Sequence, residues 1–251
     1  MARGINPLSW WRGFLALSND SPAKTVGVAL LVALVCSLVV SVTAVTLRPL
    51  QDANRLAERA AQLGGMLEIL GGGVPEAHLV DLASGAYVDR DPGTQTELPA
   101  ERDRAGLGSR EDVATVFELR DGGALRLVVL PVRGAGYQST LKGYLALERD
   151  LNTIAALTFY EQDETPGLGA RLEDAAWQAL WRGKQVADAA GVIRIEAVKP
   201  LGGGAATDVH QVDGISGATR TSNGVTNLLR FWLGPDGYGP YLGRLRTGAA
   251  P

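Results

Sequence analysis

The sequence is 251 residues long, close to the size of one domain with an appendage. Its single cysteine excludes a disulfide framework, a four-cysteine zinc site and an iron–sulfur cluster held by this chain alone, and its two histidines leave little for a metal site. Residues 1–48 carry four basic side chains and one acid, whereas the rest of the chain carries 20 basic and 26 acidic side chains. An acidic body excludes general nucleic-acid binding, which needs clustered cations.

A stretch of 23 uncharged residues, 25–47, lies between Lys24 and Arg48. A helix of that length spans roughly 35 Å, which is enough for a hydrocarbon core of about 30 Å. We therefore predict a single transmembrane helix at 25–47, preceded by an N-terminal segment at 1–24. Basic residues flank both ends of the span, so the positive-inside rule does not orient it.

The segment 48–112 is predicted to be a linker helix followed by loops. An amphipathic helix is indicated by apolar residues at spacings of three or four, ending before the glycines at 71–73. These residues are Leu56, Ala60, Leu63, Leu67 and Leu70. Residues 84–112 are rich in Asp, Glu, Arg, Gly and Pro, which is typical of surface loops.

The remaining segment, 113–251, alternates strand-like runs with turns and is predicted to form one domain. The best strand candidates are Val113–Leu119, Leu125–Val132, Tyr144–Leu147, Ile154–Tyr160 and Val192–Val198. Asp121-Gly122-Gly123 predicts a hairpin between the first two, and helices are predicted near 172–182 and 222–233. Strands joined by hairpins, with few helices, indicate an α+β fold: a twisted, mainly antiparallel sheet with flanking helices.

The segment with the clearest chemistry is 213–223, which reads Asp-Gly-Ile-Ser-Gly-Ala-Thr-Arg-Thr-Ser-Asn. The apolar residues that follow it have the spacing of one helical face, and Thr221, Ser222 and Asn223 each suit the N-cap position. A glycine- and hydroxyl-rich loop at a helix N-terminus offers N–H groups and the positive end of the helix dipole to an anion. The pattern predicts phosphate binding, with an ordinary capped loop as the alternative.

The run from Asp213 to Thr219 also resembles the flavinylation motif of FMN-binding domains. In that family a flavin transferase joins FMN, through its phosphate, to the last threonine of the motif, which matches Thr219. Three other stretches resemble the family in the same order along the chain: Glu164-Thr165-Pro166-Gly167-Leu168-Gly169, then 222–234, then Gly237-Tyr238-Gly239-Pro240. With the membrane span, the chain resembles the C subunits of the sodium-translocating NADH:quinone oxidoreductase over most of its length.

The resemblance implies an electron-transfer subunit of a membrane-bound, sodium-pumping NADH:quinone (ubiquinone) oxidoreductase that carries FMN as a phosphoester on Thr219. It implies a single-pass protein of a bacterial inner membrane, with residues 1–24 in the cytoplasm and the soluble FMN-binding domain, 113–251, in the periplasm. The implied partners are the other subunits of the complex, the flavin transferase and the lipid bilayer. The alternatives are the flavin subunit of a related ferredoxin:NAD reductase (Rnf-type) complex and a membrane-anchored, flavin-binding sensor or scaffold.

The resemblance also implies which residues bind the cofactor. They fall in two groups: Ser216, Gly217, Ala218, Thr219 and Thr221 around the phosphate, and Glu164, Thr165, Gly167 and Leu168 near the flavin ring. For Glu164 the alternative is a solvated loop acid. The spacing of Trp177, Leu180 and Trp181 indicates core residues rather than flavin contacts. No catalytic residue and no metal site is predicted, and His210 is interpreted as a satisfied or exposed side chain.

Two departures from the family pattern concern the surroundings of the flavin ring. Gln162 stands where family members often carry a histidine, two residues before Glu164. Gly136-Tyr137-Gln138 stands where a Gly-Leu-Trp stretch is common. Neither departure touches the attachment motif.

Overall fold

The computed structural model describes residues 16, 18, 21–89, 93–199 and 208–248. Most of the predicted cytoplasmic segment, 1–24, lies outside these residues. The chain divides into two compact units between Ala57 and Glu58, and each unit is described by itself.

A single helix, α1, runs from Pro22 to Ile69 and contains the whole predicted span, 25–47. In the part of the chain that the structure describes, it is the one helix long and apolar enough to cross a membrane. Its most apolar window has a mean hydropathy of 2.8, and none of that window is buried against protein. An apolar surface with no protein cover is what a lipid environment requires, as the sequence predicted.

The second unit is built on a five-stranded antiparallel sheet with the strand order β1-β4-β5-β6-β7. Two short two-stranded sheets accompany it, β2 with β3 and the parallel pair β8 with β9. The strands are β1 (Glu76–Asp81), β2 (Gln95–Glu97), β3 (Ser109–Glu111), β4 (Val113–Asp121), β5 (Ala124–Ala135), β6 (Thr140–Glu148), β7 (Ile154–Glu161), β8 (Glu196–Val198) and β9 (Gln211–Asp213). This architecture confirms the predicted α+β fold with a mainly antiparallel sheet.

The hairpin predicted at Asp121-Gly122-Gly123 joins β4 to β5, with Asp121 paired to Ala124. Sequence and structure differ in the segment 48–112, which contributes β1 to the edge of the main sheet as well as β2 and β3. The first residues of β1 are exposed, so this strand lacks the apolar alternation that marks a half-buried strand. The strand predicted at 192–198 is reduced to its last three residues, β8.

Apolar side chains along β5 and β6 alternate between the two faces of the sheet, and each face is covered by its own apolar cluster. Leu127 and Val129 pack with Met66 and Leu67 from the end of α1. Their neighbours in β5 pack on the opposite face, in a larger core that contains the buried residues of the later helices. Those helices are α2 (Ala175–Ala179), α3 (Thr219–Trp232) and α4 (Gly239–Thr247), with a 3-10 helix at Gly169–Glu173 before α2.

The helix predicted near 172–182 is therefore shorter than expected. Trp177 and Trp181 are buried in the larger core, with ring centroids 5.5 Å apart in an edge-to-face arrangement. Their interpretation as core residues is confirmed. The indole N–H of Trp177 donates to the carbonyl of Asp213 at 2.9 Å, which ties α2 to the start of the predicted phosphate-binding loop.

Candidate functional site

The predicted phosphate-binding loop leads into a helix, α3, as the sequence suggested, and it starts from the short strand β9, which the sequence did not predict. The helix begins earlier than its polar residues indicated. Ala218 occupies the N-cap position, and no side chain caps the helix there. Ser222, one of the predicted N-caps, instead braces the loop. Its hydroxyl accepts the N–H of Ile215 at 2.9 Å and donates to the carbonyl of Ala218 at 3.1 Å.

The start of α3 and the loop before it lie at the surface. Ser216, Gly217 and Thr219 are exposed, whereas Ala218 is buried. Gly217 has a φ of +78°, a left-handed conformation that glycine adopts without strain. The N–H groups of a first helical turn have no intrahelical acceptor, and here no side chain takes that place. Thr219 therefore lies at an open, uncapped helix N-terminus that favours a negative charge.

Beneath this surface, the carboxylate of Glu164 joins two other segments. Its Oε1 accepts the backbone N–H groups of Tyr137, Gln138 and Ser139 at 2.9, 2.9 and 3.2 Å, and the hydroxyl of Ser139 at 3.3 Å. Its Oε2 accepts the hydroxyl of Thr221 at 2.7 Å. Glu164 is 5% exposed and Thr221 is 1% exposed, so these contacts are shielded from water.

Glycine backbone closes around the carboxylate. A Cβ atom on Gly169 would lie 2.7 Å from both Glu164 Oε2 and Thr221 Oγ1. A Cβ on Gly136 would lie 2.4 Å from Glu164 Oε1. The absence of a side chain at Gly169 therefore leaves room for the contact between the Glu164 carboxylate and the Thr221 hydroxyl.

The pKa of Glu164 is lower than its ordinary value of 4.5. Burial raises the pKa, but the hydrogen bonds from Thr221 and from the amides of residues 137–139 outweigh it in favour of the charged form. Glu164 is therefore an internal carboxylate satisfied by neutral donors. The alternative of a solvated loop acid does not describe it.

The other predicted ring contacts form an exposed turn beside the loop. Thr165 is half-buried, and its carbonyl accepts the N–H groups of Leu168 and Ala170 at 3.1 and 3.2 Å. Leu168 is 44% exposed, and its Cδ2 lies 3.0 Å from the place that a Cβ on Gly217 would occupy. The structure thus brings the 164–169 segment and the 213–221 segment together, as the resemblance implied.

Two exposed side chains complete this surface. The guanidinium of Arg220 lies over the ring of Tyr137, 5.2 Å from its centroid. Tyr137 is 55% exposed, so an aromatic ring, a cation and the apolar Leu168 all face solvent near Thr219. Such a surface suits a ligand with an anionic group and a planar apolar group.

Other polar groups in the second unit do not take part. His210 Nδ1 lies 2.9 Å from the carbonyl of Gln185, in keeping with a satisfied side chain. Among the described residues, no group of three or more His, Cys, Asp or Glu side chains could hold a metal ion. Two surface clefts of about 530 and 470 Å³ are lined by residues outside the 164–169 and 213–221 segments.

Comparison with known proteins identifies the family. A profile of the FMN-binding domain matches residues 136–234, a range that contains both Glu164 and Thr219. The chain is 40% identical to the C subunit of the Na⁺-translocating NADH-quinone reductase of Pseudomonas aeruginosa, covering 93% of this chain and 99% of the relative. It is 38% identical to the corresponding protein of the same name from Vibrio parahaemolyticus, with the same coverage. The chain belongs to this family of C subunits.

Solved structures of the C-subunit family have the same fold. The crystal structure of NqrC from Shewanella oneidensis superposes with a TM-score of 0.67 at 31% identity, covering 76% of this chain and 99% of that one. The crystal structure of the C subunit from Parabacteroides distasonis superposes with a TM-score of 0.51 at 32% identity, covering 66% of this chain and 77% of that one. The family predicted from four motifs is confirmed.

Some residues of the site were missed by sequence reasoning. The backbone amides of the turn 137–139 hold Glu164, yet a main-chain donor leaves no mark on a sequence. Gln162 was noted only as a departure from the family, and its side-chain carbonyl accepts the N–H of Glu164 at 2.6 Å. The stacking of Arg220 on Tyr137 joins residues that are far apart in sequence, so no local spacing indicated it.

Proposed function

We propose that this chain carries FMN covalently, through a phosphoester between the flavin phosphate and Thr219 Oγ1, and transfers electrons within a sodium-translocating NADH:quinone reductase. The observation that carries the proposal is that Thr219 is exposed at the uncapped N-terminus of α3, at the end of a Ser-Gly-Ala-Thr run. Several relatives are named as C subunits of that complex, and the FMN-binding domain profile covers the same residues.

The surroundings of Thr219 fit a phosphate. The free N–H groups of the first turn and the positive end of the helix dipole stabilise the single negative charge of the phosphodiester, and Gly217 lets the backbone approach it. We assign Ser216, Gly217 and Ala218 to this phosphate environment. Thr221 belongs to the same turn, but its hydroxyl donates to Glu164, so its part is indirect.

The exposed turn at 165–168 fits a flavin ring. Leu168 offers an apolar side chain to a ring face, while Thr165 and Gly167 place backbone beside it. FMN, when bound, supplies the redox chemistry, and the protein places the ring and excludes water from one side of it. Glu164 lies beneath this turn and holds it against α3.

A tethered flavin on a membrane anchor suits an electron carrier inside a larger complex. The apolar helix α1 anchors the chain in a bacterial inner membrane, and the other subunits of the reductase are its partners. We further propose that the second unit lies on the periplasmic side, that a flavin transferase loads Thr219, and that sodium transport and ubiquinone reduction take place in partner subunits. The span 25–47 contains no acidic side chain that could serve as an ion ligand.

The covalent bond is tested by expressing the full chain in a host that has the flavin transferase. Wild-type protein should stay fluorescent on a denaturing gel, and its intact mass should exceed that of the bare chain. Thr219→Ala should lose both signals, whereas Thr247→Ala, another exposed helical threonine, should keep them. Fluorescence that survives in Thr219→Ala would place the flavin elsewhere.

The role in the complex is tested in membranes that contain all subunits. NADH should bleach the absorbance of the flavin on Thr219. Reduction by ferredoxin but not by NADH would favour a Rnf-type complex instead. A flavin that no partner reduces would favour a sensor or scaffold.

A further inference from the structure

We propose that Glu164 is a positioning residue for the attachment of FMN: it holds the first turn of α3 so that the Thr219 hydroxyl points outward, and does not itself touch the flavin. The inference rests on the proposed function, because it concerns the same threonine. It assigns Glu164 a different role from the ring contact that the family resemblance implied.

The burial of Glu164 argues against direct contact with a ligand. The side chain is 5% exposed, while Thr219 and Leu168 on the surface above are exposed. A carboxylate has about four acceptor positions, and five donors from the protein already point at this one. Gly169 packs against Oε2 so closely that a Cβ on this glycine would lie 2.7 Å from that oxygen, which leaves no room for a ligand atom on this side.

The partners of Glu164 show what it fixes. Oε1 binds the 137–139 turn between β5 and β6, and Oε2 binds Thr221 in the first turn of α3. Thr219 and Thr221 are two residues apart, which is about 200° around a helix axis. One is accordingly exposed and the other is 1% exposed. Holding Thr221 on the inner side sets the direction in which Thr219 projects on the outer side.

Loss of the carboxylate would release both segments. The three amides of the 137–139 turn would lose their shared acceptor, and a buried donor without a partner is unfavourable. The Thr221 hydroxyl would turn to a carbonyl of the preceding turn, as threonine hydroxyls in helices do, which bends the start of a helix. The Thr219 hydroxyl would then no longer be held in one place for the transfer, in which Oγ1 loses its proton and attacks the flavin-side phosphorus of a flavin–nucleotide diphosphate, the P–O–P bond breaks and the nucleoside monophosphate leaves.

A glutamine at 164 should rescue the function in part. Its carbonyl oxygen can accept the amides of the 137–139 turn, and its amide group can donate to Thr221 Oγ1, which is able to accept. Alanine can do neither. A positioning role therefore predicts that Glu164→Gln keeps much of the flavin loading that Glu164→Ala loses, whereas a role for the negative charge predicts that both variants fail alike.

The test measures the rate of covalent loading after induction of the full chain together with the flavin transferase, from gel fluorescence per unit of protein. We expect Glu164→Ala to load on the order of tenfold more slowly, since a misplacement of about 1 Å can reduce a rate up to roughly a hundredfold. Glu164→Gln should load within a few-fold of the wild type. Equal loading of Glu164→Ala and wild type, or equal failure of the glutamine and alanine variants, would overturn the proposal.

A second pair of variants keeps the test decisive if Glu164→Ala does not fold. Thr221→Val removes the hydroxyl at nearly constant volume and should load slowly, whereas Thr221→Ser keeps the hydroxyl and should load at close to the wild-type rate. Equal loading of these two variants contradicts the proposal. If the wild-type chain itself never carries covalent flavin, the proposed function fails first; if it does and the variants match it, only the positioning role fails.

Discussion

Glu118 and Glu164 are the two glutamates that are buried in the described part of the chain, and they are satisfied in different ways. Glu118, on β4, is met by side chains: the guanidinium of Arg120 at 2.6 Å, the hydroxyl of Tyr241 at 2.6 Å and the hydroxyl of Tyr87. Glu164 is met by three backbone amides and two hydroxyls, with no cation.

The difference separates a group that holds the fold from one that holds the site. Glu118 joins the sheet to Tyr87, just after β1, and to Tyr241 in α4, so its contacts keep outer elements on the core. Glu164 joins the 137–139 turn to the first turn of α3, which carries Thr219. A cation beside Glu164 would compensate its negative charge. Amides and hydroxyls instead fix the orientation of the carboxylate through directional hydrogen bonds and add no positive charge.

The largest effect is expected at Glu118. Glu118→Ala leaves Arg120 and two tyrosine hydroxyls without their buried acceptor, and should lower the free energy of unfolding by about 3–5 kcal/mol. Covalent loading of molecules that remain folded should be unchanged, because the site has no contact with this group. Denaturant titration and gel fluorescence measure the two quantities. If Glu118→Ala kept the wild-type free energy of unfolding but lost covalent flavin, Glu118 would act on the site and the proposed difference between the two glutamates would be wrong.

An intermediate effect is expected at Gly169. A methyl group there would lie 2.7 Å from Glu164 Oε2 and Thr221 Oγ1, so Gly169→Ala should destabilise the fold by about 1–3 kcal/mol and slow flavin loading. The control is Gly65→Ala on an exposed stretch of α1, where no atom lies within 4 Å of the added Cβ. That variant should instead gain about 0.5–1 kcal/mol, since alanine is the better helix former. If Gly169→Ala changed neither the free energy of unfolding nor the loading rate, the Glu164–Thr221 contact would have room for the added methyl group.

A smaller effect is expected from pH. The pKa values of Glu118 and Glu164 are both lowered in the folded chain, against an ordinary value of 4.5. Their stabilising contribution is therefore full above about pH 4.5 and is lost as the pH falls through the lower folded values. The free energy of unfolding, measured by denaturant titration at a series of pH values from neutral to acid, should decrease less steeply for Glu164→Gln than for wild type. A parallel pair of curves would mean that the charge of Glu164 is not stabilised by folding.

Much of the fold could be predicted from the sequence. Apolar residues at helical offsets from Val225 to Leu233 indicated α3, and the glycines at 122–123 indicated the β4–β5 hairpin. The strand β1 escaped because residues such as Glu76 and His78 break its apolar pattern. The start of α3 was misplaced because three adjacent polar residues suit an N-cap, and only tertiary contacts show that Thr221 and Ser222 are engaged elsewhere.

The candidate site divides in the same way. The residue types of the 213–223 loop predicted phosphate binding, whereas Thr219 was singled out as the attachment residue only by the resemblance to the family motif. The role of Glu164 could not, because it depends on the direction of main-chain amides 25–27 positions away. A carboxylate that faces a flavin and one that faces a turn look the same in a sequence.

The attachment of α3 to β5 has a consequence for how the molecule opens. The indole N–H of Trp232, at the end of α3, donates to the carbonyl of Arg133 at 2.6 Å, and the hydroxyl of Tyr238 donates to the carbonyl of Pro131 at 2.7 Å. Glu164 ties the other end of α3 to the turn that follows β5. Because the helix is fastened to one hairpin at both ends, we expect the two to unfold as one cooperative unit, so that the amide hydrogens bonded within them exchange with solvent together, whereas the free amides of the first turn of α3 exchange independently.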